Sequence, residues 1–558
     1  LSLKDGRPPK NLRNEKSRTA IRQGETRAWV TEVFHERRAY NAAADFVDAN
    51  VARGLGDKAA FVAPGRTLSY GQLQRQSCRF ATGLLALGIR PEERVALLLP
   101  DDIDYPVAFW GAIRAGIVVI PLNTWLKPEQ YRYILTDSRA CALIADASLI
   151  GQLAPVLDQV PRLRYVILAG GRTDGMPGGD RVVGFDAVCA RGSETVQVAE
   201  TVSDEVAFWL YTSGSTGEPK GVKHVHSSLM ATAKLMGQGI LGIREDDAVL
   251  SAAKLFFAYG LGNAMSFPLS VGATAILWPE RPTPDAIFAL MREHQPSLFF
   301  GVPSLYTSLL AHPGVGPGAG STRLRMCVSA GESLPAQIGE RWRAVVGCDI
   351  LDGIGSTEML QTFLSNRPGE VRYGSTGKAV PGYDLKVVDE NGAPLPDGEI
   401  GELMVRGPSA GEGYWNQRAK SRRTFAGEWT YTGDKYYRDP EGFYVYCGRA
   451  DDMFKVSGQW VSPFDVEAVL IAHEAVLEAA VIPKEDTDGL VKPKAFVVLK
   501  NGRATDDALL AELKEHVKRA AGNWKYPRWI EICTDLPRTA TGKVQRFKLR
   551  EEEAAKGI

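Results

Sequence analysis

The sequence predicts an α/β protein with doubly covered parallel sheets, a β-rich subdomain and a separate α+β unit at the C-terminal end; three observations lead there. From about residue 68 to 350, continuous apolar runs of four to six residues alternate with longer amphipathic stretches, the pattern of parallel strands covered on both faces by helices. From about 370 to 447, Asn391-Gly392, Asp397-Gly398 and Glu441-Gly442 punctuate short β-like runs, which predicts hairpins of a more antiparallel subdomain. Beyond Arg449 the periodicities predict a helix at 462–472, strands at 475–482 and 494–499, and an amphipathic helix at 506–520. That tail has the size of a small domain of its own.

The elements follow in order. Arg94-Val-Ala-Leu-Leu-Leu99 reads as a strand before an Ala/Gly-rich helix, and Gly116-Ile-Val-Val-Ile-Pro121 as a strand before the helix start at Pro128-Glu-Gln-Tyr131. Val206-Ala-Phe-Trp-Leu210, Ala273-Thr-Ala-Ile-Leu-Trp278 and Ser297-Leu-Phe-Phe300 read as further buried strands, each followed by helical sequence. The first thirty residues are polar and basic without an apolar centre, so they read as a loosely ordered leader and not as a signal peptide. The division expected is a leader at 1–30, a large domain at 31–450 and a small domain at 451–558.

At 558 residues the chain exceeds one compact core. Lys+Arg and Asp+Glu are both 66, so no net positive field favours a nucleic-acid partner. Seven scattered cysteines without a C-x-x-C pair read as buried thiols of a reducing compartment. The longest apolar runs, such as Ala115 to Leu122, fall far short of a bilayer span. The expected setting is cytoplasmic, with no membrane partner. A homodimer is compatible with all of this, and the sequence leaves the oligomeric state open.

The strongest local signal is Tyr211-Thr-Ser-Gly-Ser-Thr-Gly-Glu-Pro-Lys-Gly221, read as lying between an apolar strand and a helix. Its glycines let backbone N–H groups converge on an anion, its hydroxyls add donors and Lys220 adds charge, which makes it a phosphate cradle. The G-x-x-x-x-G-K-[ST] spacing is absent, so it is not a Walker loop. It also lacks G-x-S-x-G, which argues against a serine hydrolase. His224-x-His226 has metal-like spacing but no third ligand nearby in sequence, and no zinc is expected there.

This loop resembles the phosphate-loop motif of the adenylate-forming superfamily of acyl-CoA synthetases, luciferases and peptide-synthetase adenylation domains. Further segments resemble that family in its own order: Ala330-Gly-Glu-Ser333 the loop beside the adenine, Gly353-Ile-Gly-Ser-Thr-Glu358 the aromatic-Gly-x-Thr-Glu motif, and Tyr431-Thr-Gly-Asp434 the ribose motif. Gly448-Arg-Ala-Asp-Asp452 is similar to the hinge and Pro537-Arg-Thr-Ala-Thr-Gly-Lys543 to the C-terminal lysine loop. The wording Asp352-Gly-Ile-Gly-Ser-Thr-Glu358 resembles the benzoate-CoA ligase branch, although Ile354 stands where much of the superfamily stacks an aromatic ring on the adenine.

The resemblance implies two doubly wound, mostly parallel sheets in the large domain and a mobile small domain that pivots at Asp451. It implies an ATP site built from Thr212, Ser213, Gly214, Ser215, Thr216, Gly217 and Lys220, from Gly331, Glu332 and Ser333, and from Asp352, Gly353, Ile354, Gly355, Ser356 and Thr357. Asp434 would accept from the ribose hydroxyls, Arg449 would contact the same region, and Glu358 would help to hold Mg²⁺, a hard cation suited to carboxylate and phosphate oxygens. Lys543, with Thr357 and Glu358, would be catalytic, bridging the acid carboxylate and the α-phosphate. The acid would meet Phe257, Ala258, Tyr259, Gly260, Gly331, Ile354 and Gly355. Amino-acid-activating relatives place an aspartate just after the first aromatic of this segment, where this chain has Phe257-Ala258, so a flat, benzoate-like ring such as benzoate, 2-aminobenzoate or 4-hydroxybenzoate is expected. Ser457, Gly458 and Gln459 would line a channel for coenzyme A. An enzyme that loads a carrier protein, a ligase for another carboxylic acid, and an ATP-binding protein without catalysis are the competing readings. Intact Glu358, Asp434 and Lys543 argue against the last.

Overall fold

The computed structural model describes residues 39–171, 173–212, 218–456, 459–500, 506–538 and 544–556. A seven-stranded sheet places side by side Val182–Gly184, Tyr165–Ala169, Ala142–Asp146, Arg94–Leu98, Val118–Pro121, Val206–Thr212 and Lys220–Val225, all parallel except the last pair. A nine-stranded sheet has six parallel strands at its centre (Ile350–Gly355, Met326–Ser329, Leu298–Gly301, Ala248–Ser251, Thr274–Ile276 and Ala59–Ala63) and antiparallel pairs at both edges.

Alternation along each strand shows why these sheets are covered twice. Val95, Leu97, Val119, Ile144 and Phe208 of the first sheet share the largest core with Val249, Phe300, Val328 and Leu351 of the second. Their neighbours Ala96, Leu98, Ile120, Leu143 and Trp209 turn outward to Tyr131, Ile134 and Leu135 of the helix Pro128–Ser138. On the far side Leu250, Phe299, Cys327 and Ile350 pack on Ile287, Met291, Leu309 and Trp342. Successive side chains of a strand point to opposite faces, so a continuous apolar run is what two covered faces require. The helix Asp104–Arg114 is buried from Tyr105 onward; its Arg114 pairs with Asp48 at 2.6 Å. The helix Tyr70–Ala86 starts at a capping box, Ser69 Oγ accepting from Gln72 N and Gln72 Oε1 from Ser69 N.

The β-rich part is antiparallel, as its turn residues predict. Trp429–Arg438 and Tyr444–Arg449 form a hairpin around Glu441-Gly442. Asn391-Gly392 and Asp397-Gly398 do not close separate hairpins; both lie in the single long connection between Asp384–Val388 and Gly401–Arg406. At the C-terminal end the helices Pro463–Ala472 and Asp507–Ala521 pack on the antiparallel strands Val476–Glu485 and Val491–Leu499. A third strand, Trp529–Ile532, and a helix, Arg546–Ala555, complete the unit without a matching expectation from sequence. Among the described residues no helix is long and apolar enough to cross a membrane.

After the phosphate loop, Lys220–Val225 forms a strand antiparallel to Val206–Thr212, and the helix His226–Thr232 follows. Val222 and Val225 are β-branched and buried, and this sheet edge offers them a strand partner. His224 Nε2 donates to the Thr357 carbonyl at 2.8 Å, and His226 Nδ1 accepts from Ala42 N at 3.2 Å. Burial pulls both imidazoles down to about 4. The unfolded chain therefore takes up these protons first, and the stability they contribute, present above about pH 6.5, is lost as the pH falls toward 4. Each contributes on the order of 3 kcal/mol. The variants His224→Gln and His226→Asn should lose less thermal stability than the parent between pH 6.5 and 4.5. Equal slopes by calorimetry would assign the acid sensitivity to carboxylates instead.

Candidate active site

Three segments far apart in sequence are laced together by backbone hydrogen bonds around one cavity. Trp415 N donates to Gly221 O, Glu412 N to Lys223 O and Lys223 N to Gly413 O, so residues 411–415 run along the strand that carries Lys220. Gly411 N donates to Glu358 O, which joins the Thr357-Glu358 loop to the same ladder. The cavity, of about 330 Å³, is lined by Lys220, Glu358, Glu402, Tyr414, Arg423 and Arg449, with Thr432 and Gly433 beside them. Cations from three elements thus share a polar recess with two carboxylates, Glu358 and Glu402.

Thr212 and Lys220 are direct cross-strand partners at the mouth of the phosphate loop; Ser213, Gly214, Ser215, Thr216 and Gly217 lie outside the described residues. Tyr211, which opens the loop, donates its hydroxyl to Asp137 Oδ2 at 2.6 Å, and Trp415 Nε1 donates to the carbonyl of the same Asp137 at 2.8 Å. The start of the loop is therefore anchored to a helix end rather than left to the strand alone.

Asp352, Gly353, Ile354 and Gly355 belong to the strand Ile350–Gly355, with Ser356 and Thr357 in the turn that follows. Burial pushes the Asp352 carboxyl well above the usual carboxylate range, against hydrogen bonds from the Leu334 and Gly353 amides, and its Oδ1 has no partner. A protonated acid there can donate as well as accept. Gly331, Glu332 and Ser333 follow the neighbouring strand Met326–Ser329, at the same end of the sheet.

Asp434 and Arg449 face each other across the hairpin and form an ion pair of 3.0 Å; the guanidinium also donates to Thr432 O. The Asp434 charge holds Arg449 above its ordinary value. Asp451 follows one residue after Ala450, whose amide donates to Gly433 O. Gln459 pairs with Val456 in a short hairpin, whereas Ser457, Gly458 and Lys543 lie outside the described residues.

The segment expected to hold the acid is an aromatic corner. Phe256 and Phe257 meet edge to face at 4.5 Å, with Trp125 against Phe256 at 5.5 Å. The helix Ala258–Leu261 then turns Tyr259 toward the large sheet, where its hydroxyl donates to Val328 O at 3.2 Å. At Gly260 a Cβ would lie 2.0 Å from the Lys254 carbonyl, so glycine is needed there for backbone approach. At Gly262 a Cβ would lie 1.9 Å from Gln361 Nε2. Across this gap Gln361 donates to Tyr259 O at 3.1 Å and reaches Asn263 Oδ1 at 3.5 Å, tying the acid segment to the chain just after Glu358.

Tyr414, Gln361 and the structural use of His224 were not predicted. Each acts through a partner 98 to 133 residues away or, for Tyr414, 56 and 194, a relation no local spacing records.

Residues 48–415 match the AMP-binding enzyme family, and residues 465–543 match the AMP-binding enzyme C-terminal domain. The chain is 53% identical over 515 residues to a 4-hydroxybenzoate–CoA/benzoate–CoA ligase of Rhodopseudomonas palustris, covering 92% of this chain and 94% of that one. It is 53% identical to a benzoate–CoA ligase of Thauera aromatica, covering 92% and 96%. Among solved structures, a benzoate CoA ligase from Burkholderia xenovorans superposes with a TM-score of 0.84 at 49% identity, covering 92% of this chain and all of that one. The pocket geometry and these likenesses agree: the chain belongs to the adenylate-forming, AMP-binding enzyme family, on its benzoate–CoA ligase branch.

Proposed function

We propose that the chain is an ATP-dependent aryl-CoA ligase. An aromatic carboxylate attacks the α-phosphorus of ATP to give aryl-adenylate and pyrophosphate, and the thiol of coenzyme A then displaces AMP to give the aryl thioester. The observation that carries this reading is the gathering of Lys220, Glu358 and Arg449 around one cavity, in a chain so similar to benzoate- and hydroxybenzoate-activating ligases.

The first step joins two anions, so catalysis rests on charge neutralisation and in-line positioning. Lys220 faces the phosphates, and Thr357 is held by His224 through its carbonyl, which leaves its hydroxyl for the α-phosphate. Asp434, braced by Arg449, accepts from the ribose. Lys543 bridges the two reacting anions. Among the described residues no group of three or more His, Cys, Asp or Glu gathers to hold a metal. A polar cavity with few carboxylates suits Mg²⁺, which keeps its waters and binds through one or two carboxylates plus substrate phosphates; Glu358 would hold it. When bound, the ion supplies positive charge to the phosphate oxygens.

The acid is benzoate or a small substituted benzoate. Phe257-Ala258 offers no carboxylate for an α-amino group, and the Tyr259 hydroxyl is spent on Val328 O, so the tyrosine offers the ligand a ring face and not a polar tip. A flat apolar acid fits such walls. For the second half-reaction we place the pivot at Asp451 and the thiol channel along Ser457, Gly458 and Gln459.

Acid-dependent ATP–pyrophosphate exchange should be fastest with benzoate, 2-aminobenzoate or 4-hydroxybenzoate and slow with aliphatic and α-amino acids. Free coenzyme A should then be acylated. Adenylate without thioester would instead mark a carrier-loading enzyme. The variant Lys543→Ala should slow adenylate formation by roughly 10²–10³-fold, the size of losing one donor from a preorganised anion site. Thioester formation from supplied aryl-adenylate should persist; equal loss in both halves would refute that division of labour. In Ala258→Phe, overpacking of about 1–3 kcal/mol should lower kcat/KM for benzoate by roughly one to two orders of magnitude while nucleotide affinity stays. Unchanged rates and ranking would place Ala258 in the core instead of the acid site.

A further inference from the structure

We propose that Tyr414 is a positioning residue for adenylation, a spacer whose phenol keeps Lys220 and Glu358 apart as two usable charges. Its hydroxyl donates to Glu358 Oε1 at 2.7 Å and receives Lys220 Nζ at 3.4 Å. The same ammonium lies 4.4 Å from the centre of the tyrosine ring, over its face. The ring is 5% exposed and stands edge-on to Phe425 at 5.4 Å. Its backbone is fixed on both sides, Tyr414 N donating to Ser421 Oγ and Trp415 N to Gly221 O.

The physical need for a spacer follows from the cavity. Lys220 and Glu358 line the same recess and attract one another through it. A direct ion pair would satisfy both and leave neither for the nucleotide. The phenol satisfies each separately: the carboxylate with a short charge-assisted hydrogen bond, the ammonium with the negative face of the ring. One Glu358 oxygen is thereby fixed, and the rest of the carboxylate is left for a cation. A phenol carries its proton at neutral pH and so donates to the carboxylate. The triphosphate occupies the site only in the first half-reaction. A spacer between the phosphate lysine and the cation-holding carboxylate therefore acts there and not in thioester formation.

The inference rests on the roles proposed for Lys220 and Glu358, and the test separates the two. The variant Tyr414→Phe keeps the ring, its cation–π contact and its packing on Phe425, and removes only the hydroxyl. Its kcat/KM for ATP in pyrophosphate exchange should fall roughly ten- to hundredfold, the loss expected for a hydrogen bond to a charged group. Equilibrium binding of ATP should need a higher Mg²⁺ concentration for half-saturation. Thioester formation from supplied aryl-adenylate should match the parent, which also certifies that the variant is folded. Unchanged ATP binding and exchange, or equal loss in both half-reactions, would overturn the spacer role. The variants Lys220→Met and Glu358→Gln are run alongside. If both depress exchange while Tyr414→Phe does not, the spacer alone fails; if both are silent, the reading of the site fails with it.

Discussion

Two anions must be brought to bonding distance for an acid to become an adenylate, and the surroundings of the cavity can be understood from that repulsion. Positive charge has to be present before the reactants arrive, yet cations and carboxylates placed together in a recess tend to quench each other. The chain separates them by geometry. Arg449 is committed to Asp434 across a hairpin, Lys220 lies on a tyrosine ring, and Glu358 accepts from that ring's hydroxyl. These groups come from a sheet edge, a turn after a central strand and a β-rich subdomain. The ladder from Gly411 to Trp415 is what makes them one site.

The segments proposed to meet the acid and the nucleotide are joined by a second device of the same kind. Gln361 leaves the Glu358 turn and passes its amide over Gly262 to the carbonyl of Tyr259. Its Oε1 is meanwhile occupied by Thr362 N at 2.9 Å, so the side chain is held at both ends. A shift of the acid helix would then be felt at the Thr357-Glu358 turn through a buried amide, whose unmet hydrogen bonds are costly. Reacting groups need placement within fractions of an ångström, and an amide clamp of this type supplies it without a charge that would perturb the cavity.

The fold was legible wherever burial leaves a periodic record. The runs at 94–99, 116–121 and 206–210 are strands because both their faces are covered, and Pro128, Pro284 and Pro463 each begin a helix as the rigid ring at a first turn allows. What local sequence does not name is the partner of Lys220–Val225, the strand Val206–Thr212 to which it pairs antiparallel. The strand Trp529–Ile532 is short, only partly buried and parallel to Val491–Leu499, and so lacks alternation. The site divides in the same way. Charged residues inside ordered motifs could be found because the chemistry needs those types there. Tyr414 and Gln361 could not, because their work consists of contacts with distant residues and an isolated tyrosine or glutamine has no characteristic spacing.

Beside the proposed pivot lies a set of partly buried ion pairs that bears on how the proposed rotation would be transmitted. Asp452, next to Asp451, is paired with Arg550 at 2.7 Å and lies 3.6 Å from Arg546. Arg546 in turn holds Glu467, 4% exposed, through two hydrogen bonds of 2.6 and 2.9 Å. The helix Arg546–Ala555 begins three residues after Lys543, and Glu467 lies in the helix Pro463–Ala472 that packs on the C-terminal sheet. Charges paired in such burial resist separation, since breaking one partner leaves the other uncompensated. A turn at Asp451 would therefore carry the first turn of the terminal helix with it as a rigid body, rather than being dissipated in the chain between. Among the contacts that cross from the β-rich part is the edge of Phe464 on Tyr446 at 5.7 Å. One aromatic edge contact is worth about 0.5–1.5 kcal/mol, so this contact by itself would not hold back a rotation of the kind proposed.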